Sequence, residues 1–205
     1  MLRKKDINSR ISTRVIGVIG TTHGAGATHF CCMMGVFLTI VKGYRIAIVE
    51  VNQSACIRQA EIILNNLKNK KSKKILNMIS IYTDADELKL SEVVSMDFDF
   101  VIVDYGCDYD ITRGSFLMCQ SKFVVGSMSW WKLQSYVHFL INTENEQSRK
   151  HWTFLATTPV SEGIGYVKKE FKIQVTGVPY EPDPFRLDKN SVEFFYKLAC
   201  KEFGI

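Results

Sequence analysis

One short stretch has the residue types and spacing to hold a phosphate. In VIGVIGTTHGAGATH, residues 15–29, glycines at Gly20, Gly24 and Gly26 are followed by Thr28, which opens an apolar segment. Glycines let a backbone approach an anion closely, and successive N–H groups of a turn point at it. The positive end of a following helix adds to the attraction. The candidate phosphate cradle is Gly20, Thr21, Thr22, His23, Gly24, Ala25, Gly26, Ala27, Thr28 and His29. Such loops also carry a lysine directly before the Ser/Thr, to reach the outer phosphates. Here that position is Ala27, so the cradle stands without its cation. Two carboxylates, Glu50 and Asp104, each end an apolar run further along the chain.

The cradle needs a strand before it and a helix after it, and both are legible. Val15, Ile16, Val18 and Ile19 form a buried strand, and FCCMMGVFLTIV (30–41), apolar nearly all round, is a buried helix. Gly43 suits a left-handed cap at its end. Residues 44–51 read as the second strand. Ser54 can cap a helix running to Leu67, with Ile57, Ile62, Ile63 and Leu67 as its apolar members. The run Lys68, Lys70, Lys71, Lys73 and Lys74 could contact polyphosphate, DNA or anionic lipid. A solvated helix end, where lysines suit the dipole, is the favoured reading. A short strand over 75–82 and a small helix in DADELKLSEVVS precede the strand 98–103, which runs into Asp104-Tyr105-Gly106.

Further strands are expected at 122–127, 152–156 and 173–178, and helices at 130–141 and 161–170. In the helix 130–141, Trp130, Leu133, Val137 and Ile141 have helical spacing, and one of Trp130 and Trp131 should be buried with the other partly exposed. The amphipathic helix 190–203, with Val192, Phe195, Leu198, Ala199 and Phe203 on one side, should pack on the sheet. This alternation specifies an α/β fold with a mostly parallel sheet and helices on both faces. Ligands in such sheets bind beyond the carboxyl ends of the strands. Residues 20–28, Glu50, Asp104 and the loop at Pro179 would meet there.

Composition narrows the class. The 205 residues, 46% hydrophobic and 12% aromatic, suffice for one core spanning 1–205, with 1–13 as a frayed lead-in. No apolar run of about 18 residues predicts a membrane span, and the basic N-terminus lacks the apolar region of a secretory signal. Six cysteines without CxxC spacing speak against a zinc site or a disulfide framework and for a reducing cytoplasm. A net charge of +5 does not by itself indicate nucleic acid. His138 has no companion at metal-ligand spacing and reads as structural.

The loop resembles that of the MinD/ParA-type ATPases, the deviant Walker A group, in which glycines alternate with two lysines. Aligned on Gly20, Gly24, Gly26 and Thr28, the two lysine positions fall on Ala27 and Thr22. The resemblance extends to the end of the second strand, where the family's Asp-x-Asp appears as Glu50-Val51-Asn52, and to the strand ending at Asp104. It implies that Thr28, Glu50 and Asp104 serve Mg²⁺ and its water shell, with ATP or ADP as the nucleotide. It also implies that Thr158, Pro179 and Tyr180 flank the base, although Thr157-Thr158-Pro159 replaces the usual asparagine. The second lysine would reach a partner's phosphates across an ATP-closed dimer, and Thr22 cannot. Asn52 cannot accept a proton as a general base.

The reading is therefore a catalytically degraded relative nearest the TadZ/CpaE-like group. It would act in localisation, assembly or regulation through a protein partner, such as a pilus or other membrane-associated assembly. A homodimer would form without nucleotide, through the Trp130-Trp131 helix. Two alternatives stand beside it. One is an active ATPase with a substitute cation, from His23, His29, the run Lys68–Lys74 or a partner. The other is a scaffold that binds no nucleotide.

Overall fold

The computed structural model describes residues 13–52, 56–66 and 70–205. Among these residues seven strands form one sheet: β1 (Arg14–Gly20), β2 (Ile46–Glu50), β3 (Ser80–Tyr82), β4 (Phe100–Asp104), β5 (Ser121–Ser127), β6 (Thr153–Thr158) and β7 (Val175–Gly177). They lie in the order β3-β2-β4-β1-β5-β6-β7, and every pairing is parallel. After β1 the chain steps outward to β2 and β3. It then returns to place β4 beside β1 and crosses to β5 on the other side. Connections from β1 and β4 therefore diverge, and the crevice beyond their C-terminal ends is where such sheets bind ligands.

Among the described residues eight α-helices cover the sheet: α1 (Ala27–Val36), α2 (Cys56–Asn66), α3 (Lys70–Leu76), α4 (Glu87–Val94), α5 (Tyr109–Met118), α6 (Trp130–Asn142), α7 (Ser161–Phe171) and α8 (Lys189–Phe203). A wider turn of π-helix, Phe37–Val41, prolongs α1, and Gly43 (φ 74°) ends it in the left-handed conformation. Strand side chains alternate between two cores. Ile16, Val18, Ile48, Ile102 and Val125 face α1 and α8, while Ile19, Val49, Val103 and Val124 face α4 to α7. Phe195 of α8 sits between Phe30 of α1 and Phe37 of the π-helical turn, with ring centroids 5.6 Å from each. The α8 side chains Phe195, Leu198, Ala199 and Phe203 are buried on the sheet, as their spacing predicts.

Several expectations are corrected. Residues 75–76 belong to α3, and only Ser80–Tyr82 of the predicted strand 75–82 pairs in the sheet. Ile62 and Ile63 are exposed, whereas Ile57 in the first turn of α2 enters the core; α2 also packs beside α3. Trp130 and Trp131 are both exposed, by 67% and 93%, and Ile141 is also outward. The inward stripe of α6 is Leu133, Tyr136, Phe139 and Leu140, with the Tyr136 hydroxyl donating to the Leu155 carbonyl (3.3 Å). The helix α5 has no counterpart in the sequence reading. Residues 1–12, the Ser54 cap, Leu67 and Lys68 lie outside the described residues.

Candidate functional site

The loop is rooted in the sheet on both sides of β1. The Gly20 N–H donates to the Gly106 carbonyl (2.6 Å) and the Thr21 N–H to the Val125 carbonyl (2.9 Å). Ala25 N–H closes a turn onto the Thr22 carbonyl (3.1 Å). Gly26, at φ 95°, stands at the N-terminal cap of α1, and no side chain caps that helix or places an acid in its first turn. A Cβ there would come 2.9 Å from the Thr157 methyl, and Thr157 Oγ1 in turn donates to the carbonyls of Ala25 (3.0 Å) and Gly126 (3.1 Å). Glycine is thus required at Gly26 by both conformation and space. The N–H groups of Gly24, Gly26, Ala27 and Thr28 meet no acceptor among the described residues. A helix terminus in this state is an anion site in waiting.

Behind the loop, Thr28 Oγ1 donates to Asp104 Oδ2 (2.5 Å), and the Gly106 N–H donates to Oδ1 (3.0 Å). Burial pushes the Asp104 carboxyl above its ordinary value, opposed by hydrogen bonds from Thr28, Gly106 and Asn52. Glu50 lies opposite Asp104 in the sheet register. Its Oε1 accepts the N–H groups of Cys56 (2.8 Å) and Ile57 (3.4 Å), so this buried carboxylate caps the start of α2. Asn52 Nδ2 donates to the Asp104 carbonyl (3.1 Å). Burial also raises the neighbouring Cys31 and Cys32 thiols, Cys32 to about 12, with Asp104 and Glu50 adding to it, so both remain protonated.

A cleft of about 540 Å³ opens above the loop, lined by residues 22–29 with Asn52, Cys56, Gly106, Cys107 and Asp108. Among the described residues no lysine or arginine lines it, and Asp108 is the one carboxylate that does. Glu50 and Asp104 lie behind this lining rather than in it. A second hollow of about 300 Å³ brings Thr158, Pro179 and Tyr180 together with Gly26, His29 and Glu181. The two hollows share Gly26 and His29. Burial holds the His29 imidazole below its ordinary value, against a hydrogen bond to the Glu181 backbone. No group of three or more His, Cys, Asp or Glu among the described residues has metal-holding geometry.

Cys107, Asp108 and Lys132 escaped the sequence reading. The first two follow Gly106 in the turn after β4, so their place was inferable from Asp104. Lys132 reaches the loop from α6, where its Nζ donates to the carbonyls of His23 (3.2 Å) and Gly24 (3.1 Å). Only tertiary packing brings it there.

The parallel sheet, with a glycine loop between its central strand and a covering helix, is an α/β fold like that of the MinD/ParA P-loop NTPases. Solved structures agree. The MinC:MinD cell division protein complex of Aquifex aeolicus matches with a TM-score of 0.64 at 14% identity, over 94% of this chain and 97% of that one. A plasmid partition protein of Borrelia burgdorferi B31 bound to AMPPNP matches at 0.63 and 12%, over 94% and 100%. FlhF complexed with GMPPNP and Mg²⁺ matches at 0.60 and 16%, over 93% and 75%. No protein-family model matches the sequence, and no curated protein does.

Proposed function

We propose that this protein binds a nucleoside di- or triphosphate with Mg²⁺ at the 20–29 loop, hydrolyses it little or not at all, and acts in localisation, partition or assembly through a protein partner. The observation that carries this reading is the cleft itself: among the described residues it has N–H donors without acceptors at a helix terminus, yet no lysine or arginine in its lining. Donors of that kind suit phosphate oxygens. The residues present also fit a hydrated Mg²⁺, because the Thr28 hydroxyl sits at the cleft with the Asp104 carboxylate behind it. The hollow at Thr158, Pro179 and Tyr180 is the place for a base. Bound Mg²⁺ would supply charge neutralisation at the phosphates; the chain itself would supply the N–H cradle and the hydroxyl that orients the ion.

Weak hydrolysis follows from what the side chains lack. Ala27 and Thr22 carry no charge, and Asn52 cannot take a proton from water. Each missing electrostatic donor is worth roughly 3–4 kcal/mol of transition-state stabilisation. Structural neighbours bound to AMPPNP or to GMPPNP with Mg²⁺ support the nucleotide, and the MinC:MinD complex supports a protein partner. Within this fold, the loss of both lysines favours the TadZ/CpaE-like group and a pilus-type partner.

Calorimetry with MgATP, MgADP and MgGTP, beside a phosphate-release assay, tests the reading. Saturable binding with turnover at least about 100-fold below that of an ordinary P-loop ATPase is expected. Ordinary turnover with contamination excluded would overturn the degraded-site reading. Absence of binding to all three would leave the scaffold.

A further inference from the structure

The geometry points to Lys132 as the cation of the phosphate loop, acting from behind it through the peptides that it holds. The inference rests on the nucleotide-binding reading. Lys132 Nζ donates to the carbonyls of His23 (3.2 Å) and Gly24 (3.1 Å), and a Cβ added to Gly24 would lie 3.4 Å from it. A trans peptide points its C=O and its N–H in opposite directions. Drawing the His23 carbonyl toward α6 therefore turns the Gly24 N–H to the other side of that peptide, where no protein acceptor meets it. The next peptide is held in the same way, and its Ala25 N–H closes onto Thr22 (3.1 Å).

One ammonium thus orients two consecutive peptides around a glycine at φ 65°, a stretch with wide conformational freedom of its own. Charge on the carbonyl side also polarises the His23–Gly24 peptide, so the Gly24 N–H presents more positive charge to an anion. Lys132 forms no ion pair among the described residues, so no carboxylate among them draws its ammonium away from the loop. Lysines at positions 22 or 27 would reach phosphate directly. Here α6 delivers a comparable charge from outside, and Lys132 is a positioning residue for polyphosphate.

The test titrates pyrophosphate and MgADP into the wild-type protein and into Lys132→Met, Lys132→Gln and Lys132→Arg, at low and high salt, with melting curves to confirm folding. Loss of charge should weaken both ligands tenfold or more in the Met and Gln variants and flatten their salt dependence, while Arg restores most of the affinity. Met binding within twofold of wild type would overturn the inference and leave the nucleotide reading intact. Recovery by Gln as full as by Arg would show that tethering, not charge, is the agent, and would overturn it too. Wild-type protein that binds neither ligand would overturn the nucleotide reading and this inference together.

Discussion

Asp104 carries two demands that pull against each other. It sits fully buried at the end of β4, where burial raises its pKa, and the proposed Mg²⁺ role would need it ionised. A carboxyl raised in the folded state favours folding while protonated. Its stability contribution is complete below the ordinary value of 3.8 and is lost as pH rises through the raised folded value. Asp104→Asn should therefore stabilise the ligand-free fold at neutral pH by about 1 kcal/mol while abolishing any Mg²⁺ dependence of nucleotide binding. Urea melts of both proteins from pH 4 to pH 8 should show the difference growing with pH and then levelling. A neutral-pH melt in which the Asn variant is the less stable one would refute this. The glycines of the cradle and Asp104 were legible in the sequence because each is a local signal, a residue type at a chain turn. The Thr157 methyl packed on Gly26 and the ammonium of Lys132 on His23 were not, since they come from 131 and 109 positions away.

The elements were readable wherever one pattern dominated. The apolar runs of β1, β2, β4 and β5 and the stripe of α8 appear close to their expected bounds. Where the pattern was mixed, the reading failed. The segment YDITRGSFLM buries only Tyr109 and Phe116 and turns Ile111 and Met118 out to water, so no apolar stripe announces α5. In α6 two exposed tryptophans masked the inward stripe, and in α3 a run of lysines hid a short helix. Two glycines separate these cases by their surroundings. Gly114 lies within α5, and a Cβ there would meet nothing within 4 Å; Gly114→Ala should stabilise by roughly 0.5–1 kcal/mol through helix propensity. Gly126 lies in β5 under α6, where a Cβ would stand 2.3 Å from the Tyr136 ring and 2.6 Å from Thr21 Oγ1. Gly126→Ala should cost about 2–3 kcal/mol by lifting α6 from the sheet. Denaturant midpoints of the two variants should move in opposite directions, and parallel shifts would contradict the assigned packing.

At the scale of the whole molecule, assembly is decided by what the surface offers. Among the described residues no helix is long and apolar enough to cross a membrane, and the largest exposed aromatic side chains are Trp130 and Trp131 at the start of α6. Aromatic anchors often dominate an interface. A homodimer joined there should form without nucleotide, because Thr22 cannot bridge to a second subunit's phosphates. Sedimentation with and without MgATP should give the same association state, and Trp131→Ala should weaken it by roughly 2 kcal/mol. Dimerisation that appears only with MgATP would contradict this directly. The sheet has its own bearing on assembly. Among the described residues its outermost strands, β3 (Ser80–Tyr82) and β7 (Val175–Gly177), are three residues long. A foreign strand laid along either rim would find too few main-chain partners to hold, so β-augmentation is closed to partners and to sister copies alike. Copies crowded together on an assembly can then touch through helices and loops without fusing into a continuous cross-strand polymer.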